Sequence, residues 1–172
     1  MPLTKDDHVF FWKPQQPNGW AGQWYPSPFT LSIAISDETE TLTFPTAEHW
    51  MMFQKALLFD DIPIARQVLL TSGLAAVKSL GRKVSNFDDD IWNRERIRIV
   101  LEGNLHKFKQ NPELKEMLLG TGEKVLVEAS PRDRIWGIGY GEKNAMKKRD
   151  QWGLNLLGQA LMETRRQLRA EA

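Results

Sequence analysis

The chain has 172 residues, enough for one domain with a sizeable core, and its 23 Lys and Arg against 22 Asp and Glu leave a formal net charge of +1. That balance excludes a uniformly basic nucleic-acid scaffold, although Lys143, Lys147, Lys148 and Arg149 form a local basic patch. The absence of cysteine excludes disulfides, thiol catalysis and thiolate metal sites together. His8, His49 and His106 are far apart in sequence, so neither a metal nor another cofactor is expected. The opening residues lack the apolar core of a signal peptide, and no apolar run approaches the ~20 residues of a membrane span. A soluble, cytoplasmic protein is therefore expected, with the nucleus as an alternative if the source is a eukaryote. No repeat, low-complexity run or long charge block divides the chain, which points to one domain over residues 1–172.

In chain order, residues 8–12 read as a short strand and 14–28 as a loop rich in Pro, Gly and aromatic residues. Residues 29–35 alternate Phe29, Leu31, Ile33 and Ile35 with Thr30, Ser32 and Ala34, and residues 39–44 return antiparallel after a turn at Ser36-Asp37-Glu38. A helix follows from near Ala47 to about Phe59, with Thr46 as N-cap and Pro45 holding the preceding chain extended. Asp60 or Asp61 caps a second helix to about Thr71, with Pro63 in its first turn and Gly73 ending it. Residues 74–80 form a short helix closed by Gly81-Arg82. The longest helix runs over 88–109, with acidic residues at its start and Trp92, Ile99 and Phe108 among its apolar positions. Asn111-Pro112 caps another, stopped by Gly120. Residues 125–129 read as a buried strand and 154–169 as a final amphipathic helix. Helices dominate, with strands confined to two places, so the fold class is α+β with a small antiparallel sheet.

Two segments stand out for chemistry. In the first, Glu48 sits in the first turn of its helix and Lys55 two turns later, roughly 10 Å along the axis, with Met51 and Met52 between them. Helical side chains lean toward the N-terminus, so Lys55 tilts back toward Glu48 and a small reacting group fits between them. The structural alternative is that Glu48 serves the positive end of the helix and Lys55 snorkels out of the core. The second segment runs from Asp133 through Trp136, Gly137, Gly139 and Gly141 to Trp152-Gly153. Its alternate glycines suit a phosphate cradle or a close ligand approach, or else a flexible surface loop. The spacing is not that of a dinucleotide-binding G-x-G-x-x-G turn. Trp92 and Trp136 are candidates for stacking on a base or walling a pocket. Arg82 at its helix end either neutralises the dipole or contacts phosphate.

These pieces together resemble the NADAR family, also called YbiA-like proteins, over nearly the whole chain. The resemblance rests on Pro45-Thr46-Ala47-Glu48-His49 with Gln54-Lys55, on Leu80-Gly81-Arg82, on Trp92, and on Leu126-Val127-Glu128. It continues through Asp133, Trp136-Gly137 and Gly139 to Gly153-Leu154-Asn155-Leu156-Leu157-Gly158, Leu161-Met162 and Arg165. One departure is clear: where many relatives carry Gly-x-Phe-Ser-Asn-Phe, this chain has Tyr25-Pro26-Ser27-Pro28-Phe29, with Pro28 in place of the Asn.

The resemblance implies a YbiA-like fold and cleavage of an N-glycosidic bond to ribose, either ADP-ribose on guanine in nucleic acid or a ribosylamino-pyrimidine or -uracil intermediate of riboflavin synthesis. It adds His49 and Asn155 to Arg82, Trp92, Trp136, Gly137 and Gly139 as substrate-binding candidates. For such chemistry Lys55 is the candidate nucleophile, attacking C1 of a ring-opened ribose to give a Schiff base, with Glu48 moving the protons. Asp133 is the candidate to hold a ribose hydroxyl or orient water. Direct water attack activated by Glu48 or Asp133 is the mechanistic rival. A module that binds ADP-ribose without cleaving it is the non-enzymatic one.

Overall fold

The computed structural model describes residues 2–172, which divide into two compact units. One combines the chain up to Tyr25 with Pro112–Ala172, and the other is Pro26–Asn111.

The Pro26–Asn111 unit begins with a hairpin, β2 (Phe29–Ile35) and β3 (Glu38–Phe44), paired antiparallel from Phe29↔Phe44 to Ile35↔Glu38. Period-2 patterning puts Phe29, Ile33 and Ile35 inside while Thr30, Ser32 and Ala34 face out. Helix α1 (Ala47–Leu58) starts where the Thr46 side chain accepts the His49 N–H, and α2 (Ile62–Leu70) where Asp61 accepts that of Ile64. Both starts agree with the sequence. Helix α4 (Asp89–Gln110) is capped by Asp88, and its Gln110 amide exchanges two 2.8 Å bonds with the backbone of Thr30, closing the edge of β2. Phe29, Phe44, Trp50 and Phe53 form the aromatic core between hairpin, α1 and α4, with the Trp50 indole donating to the Ile99 carbonyl at 2.9 Å.

Helix α3 (Leu74–Arg82) corrects one expectation: Gly81 and Arg82 lie inside the helix, and Lys83 is its C-cap. The glycine serves packing instead of termination, because a Cβ at 81 would overlap the Met52 sulfur on α1. Only a residue without a side chain lets α3 come that close.

In the other unit, β1 (His8–Phe11) pairs in parallel with β4 (Val125–Glu128), from His8↔Val125 to Phe11↔Glu128. The sequence located both strands but not their pairing, which joins segments more than a hundred residues apart. Helix α5 (Pro112–Gly120) precedes β4, and α7 (Leu156–Ala170) packs on it. Helix α7 starts two residues later than expected, because Asn155 takes a left-handed conformation (φ 53°) and turns its side chain to β4. Between them a short helix, α6 (Glu142–Ala145), and a 3₁₀ stretch, Met146–Gln151, occupy what reads in sequence as loop. One buried Ala145 and a partly buried Met146 are too few apolar positions to announce a period. Among the described residues no helix is long and apolar enough to cross a membrane.

Candidate active site

Helix α1 carries a polar set on a buried surface. Glu48 is 5% exposed and lies between the buried Ala47 and His49, with Met51 and Met52 buried one turn on. The ring of His49 is engaged on both sides, Nδ1 with the Thr46 hydroxyl at 2.8 Å and Nε2 with the Thr71 carbonyl at 2.7 Å. The carbonyl can only accept, so Nε2 carries the proton and the hydroxyl donates to Nδ1. His49 thereby ties the first turn of α1 to the end of α2.

Lys55 is half-buried, and its amine stands over two aromatic rings, 4.7 Å from the centroid of Phe87 and 5.3 Å from that of Trp92. Burial holds its pKa below the usual lysine value; the Arg82 guanidinium lowers it further, while Asp89 and Glu48 oppose the shift. The structure therefore brings Glu48, Lys55, Arg82 and Trp92 into one electrostatic neighbourhood, as the sequence anticipated for the first two. Phe87 and Asp89 were missed. Their signal was present: with Asp88 as N-cap, Phe87 and Trp92 occupy the N′ and N4 positions of a hydrophobic staple. Lys55 uses the aromatic surface that this cap motif creates.

The remaining candidates, Asp133, Trp136, Gly137, Gly139 and Asn155, belong to the other unit. Asp133 Oδ1 accepts the N–H groups of Ile135 and Trp136 at 2.9 and 2.8 Å, so its carboxylate shapes the turn that opens the loop. The carbonyls of residues 134–138 accept N–H groups from 153–157, which holds the half-buried Trp136 and the glycines on a backbone ladder. The segment is thus an ordered structure instead of a flexible loop. A Cβ on Gly137 would meet Glu128 Oε2 at 2.6 Å, and Gly139 has φ 81°, so both glycines are demanded by the fold itself. Among the described residues the amides of Gly137 and Gly139 donate to no carbonyl. Asn155 is buried and acts as a piece of strand: Oδ1 accepts the Glu128 N–H at 3.0 Å and Nδ2 donates to the Leu126 carbonyl at 2.9 Å. Where relatives carry Asn, the Pro28 carbonyl accepts from the Asn111 amide at 3.0 Å. Among the described residues no group of three His, Cys, Asp or Glu could hold a metal ion.

An α+β chain presenting a buried carboxylate and a pKa-lowered amine against aromatic walls has the parts of a covalent or acid–base enzyme site. A NADAR domain model matches residues 10–169, and the chain belongs to the NADAR family. It is 41% identical over 168 residues to an N-glycosidase of Acanthamoeba polyphaga mimivirus, covering 95% of this chain and 97% of that protein. It is 29% identical over 164 residues to a riboflavin biosynthesis protein of Vibrio vulnificus, covering 95% of this chain but 39% of that longer one. The NMR structure of the E. coli protein YbiA matches with a TM-score of 0.70 at 26% identity, over 98% of this chain and 89% of that chain. The YbiA-like α+β fold expected from the sequence is the one observed.

Proposed function

We propose that this NADAR-family N-glycosidase removes ADP-ribose from guanine bases of nucleic acid, with Lys55 as the covalent residue. The setting of Lys55 carries this reading: an amine half-withdrawn from water, faced by Phe87 and Trp92, with Glu48 among the charges it feels. In the ring-opened substrate, C1 of the ribose is doubly bonded to the guanine nitrogen. Neutral Lys55 adds to C1, the C1–N bond to guanine breaks as Glu48 delivers a proton to the departing nitrogen, and a lysine imine remains. Water then adds to C1 and the C1–Nζ bond breaks, releasing ADP-ribose as the aldehyde and restoring the amine. Glu48 takes up a proton in this second half, so no net proton is lost. Trp92 walls the site, and Arg82 lowers the amine's pKa and offers a cation to the pyrophosphate. The family match through residues 10–169 supports treating the chain as one NADAR domain.

Borohydride added during turnover of ADP-ribosylated guanine in DNA should reduce the imine and raise the protein's mass by the ADP-ribosyl adduct, at Lys55. An unchanged mass with Glu48→Gln inert transfers the reaction to carboxylate-activated water. A second reading is favoured by the Vibrio relative, whose name places it in riboflavin biosynthesis. On that reading the substrate is a ribosylamino-pyrimidine or -uracil phosphate, and the same amine and carboxylate release it. Turnover of that intermediate, with none of ADP-ribosylguanine, would decide for it.

A further inference from the structure

The basic segment that contains the glycine loop and runs on to Gln151 plays no part in the bond cleavage proposed above. Residues 132–151 hold six cations, Arg132, Arg134, Lys143, Lys147, Lys148 and Arg149, and three anions, Asp133, Glu142 and Asp150, on a chain whose total charge is only +1. All six cations are exposed. Ala145 and Met146 pin the segment to the cluster of Phe10, Val127, Ala129 and Ile138, which leaves the cations on its solvent side. The Trp152 indole adds a 2.8 Å bond to the Ala145 carbonyl. Among the described residues Lys143, Lys147 and Lys148 form no ion pair, so their charge is unspent.

Two of the cations are paired with rings. The Arg149 guanidinium lies 4.1 Å from the centroid of Trp152, and that of Arg134 lies 5.8 Å from Tyr140. Arg134 also donates to the Gln151 carbonyl at 2.7 Å, and the Tyr140 hydroxyl to Gln151 Oε1 at 3.0 Å, which joins the two pairs into one strip. Planar guanidinium and aromatic groups in one segment with exposed lysines match a single strand of nucleic acid, whose phosphates need cations and whose unpaired bases need flat surfaces. A duplex offers the phosphates without the bases, and an acidic peptide offers neither flat bases nor their stacking.

We infer that the face formed by residues 132–151 binds single-stranded nucleic acid and carries the strand that bears the modified base. This rests on the proposed nucleic-acid substrate. The lysines supply counter-ion release and the Arg–ring pairs supply stacking, so affinity is salt-dependent yet higher for the single strand than for the duplex.

Fluorescence anisotropy of a labelled, unmodified oligodeoxythymidine of about 12 nucleotides measures it on the whole chain. The triple variant Lys143→Ala, Lys147→Ala, Lys148→Ala should bind at least about tenfold more weakly, and its log Kd against log salt slope should shrink by about 2, near 0.7 per lost phosphate contact. A duplex of equal length should bind more weakly than the single strand despite its greater charge. Equal binding by the triple variant overturns the surface. Tighter duplex binding, or equal competition by a polyglutamate peptide of matched charge, overturns the single-strand assignment. Two substrates separate this inference from the catalytic reading. The triple variant should hydrolyse ADP-ribosylated guanosine monophosphate as the parent does while losing turnover on the oligonucleotide. Full oligonucleotide turnover in the triple variant defeats the surface alone, whereas strand binding without any ADP-ribosylguanine hydrolysis by the parent defeats the catalytic reading alone.

Discussion

Lys55 on α1 and Lys107 on α4 belong to the same unit, and burial lowers the pKa of each. Lys107 is the more extreme: wholly enclosed, with its amine 5.0 Å from the Phe108 centroid and its pKa pushed down to about 7. Lys55 is only half-buried, but its proton is contested by Arg82 on one side and by Asp89 and Glu48 on the other. The difference separates two meanings of a perturbed lysine. Full enclosure lowers the pKa of an amine furthest and keeps it from any substrate. Partial burial among opposed charges lowers the pKa of an amine while leaving it reachable.

The largest expected effect tests that contrast directly. Lys55→Arg keeps the positive charge but cannot offer a free amine, so turnover of ADP-ribosylated guanine should fall by at least ~10³-fold while ADP-ribose binding survives. Lys107→Met fills a similar volume without charge and should leave turnover near that of the parent. A folded Lys107→Met protein without activity, beside an active Lys55→Arg, would reverse the assignment. Next in size is Glu48→Gln, which retains hydrogen bonding but cannot cycle protons. Single-turnover rates should drop by about 10²–10⁴-fold with the fold intact by circular dichroism.

The support of the Lys55 neighbourhood gives a smaller effect. Gly81→Val drives a side chain into Met52 and should cost about 1–3 kcal/mol in denaturant unfolding, partly recovered by adding Met52→Ala. Absence of both the loss and the recovery would mean that α3 does not depend on this contact with α1.

Smaller still are the pH effects, which fall on activity for Lys55 and on stability for Lys107. Arg82 lowers the pKa of Lys55, so Arg82→Ala should move the ascending limb of the kcat/KM profile to higher pH. Asp89 raises it, so Asp89→Asn should move the limb to lower pH. Limbs that stay in place in both variants would remove Lys55 from the rate-determining protonation. For Lys107 the effect is on stability. The unfolded chain holds its proton to the ordinary lysine value and the native state releases it near 7, so native stability should rise with pH from about 7 toward about 10.4. Lys107→Met should flatten that rise, and a parental slope in the variant would assign it to other groups.

Much of this was legible in the chain because it depends on short-range rules. The Thr46, Asp61 and Asp88 caps fall where a side-chain oxygen can meet the third amide onward, and the β2 alternation announces its inner face. The placement of Glu48 and Lys55 on one stripe follows from helical periodicity over two turns. The six residues from Met146 to Gln151 were not legible, since a single 3₁₀ stretch has no period to detect. Phe87 and Asp89 were readable as a cap but not as company for Lys55.

The sequence by itself determined where most helices begin, which strand face is apolar, the kinship with the NADAR family, and the presence of an acid and an amine on one stripe of α1. Tertiary structure alone decided that β1 and β4 lie parallel and that Gly81 is a contact point. It also decided that Asn155 serves as a surrogate strand and that Phe87, Trp92, Arg82 and Asp89 converge on Lys55. Caps and periods are set by covalent neighbours within one or two turns, whereas the pKa of an amine depends on charges and rings from other elements that only packing brings around it.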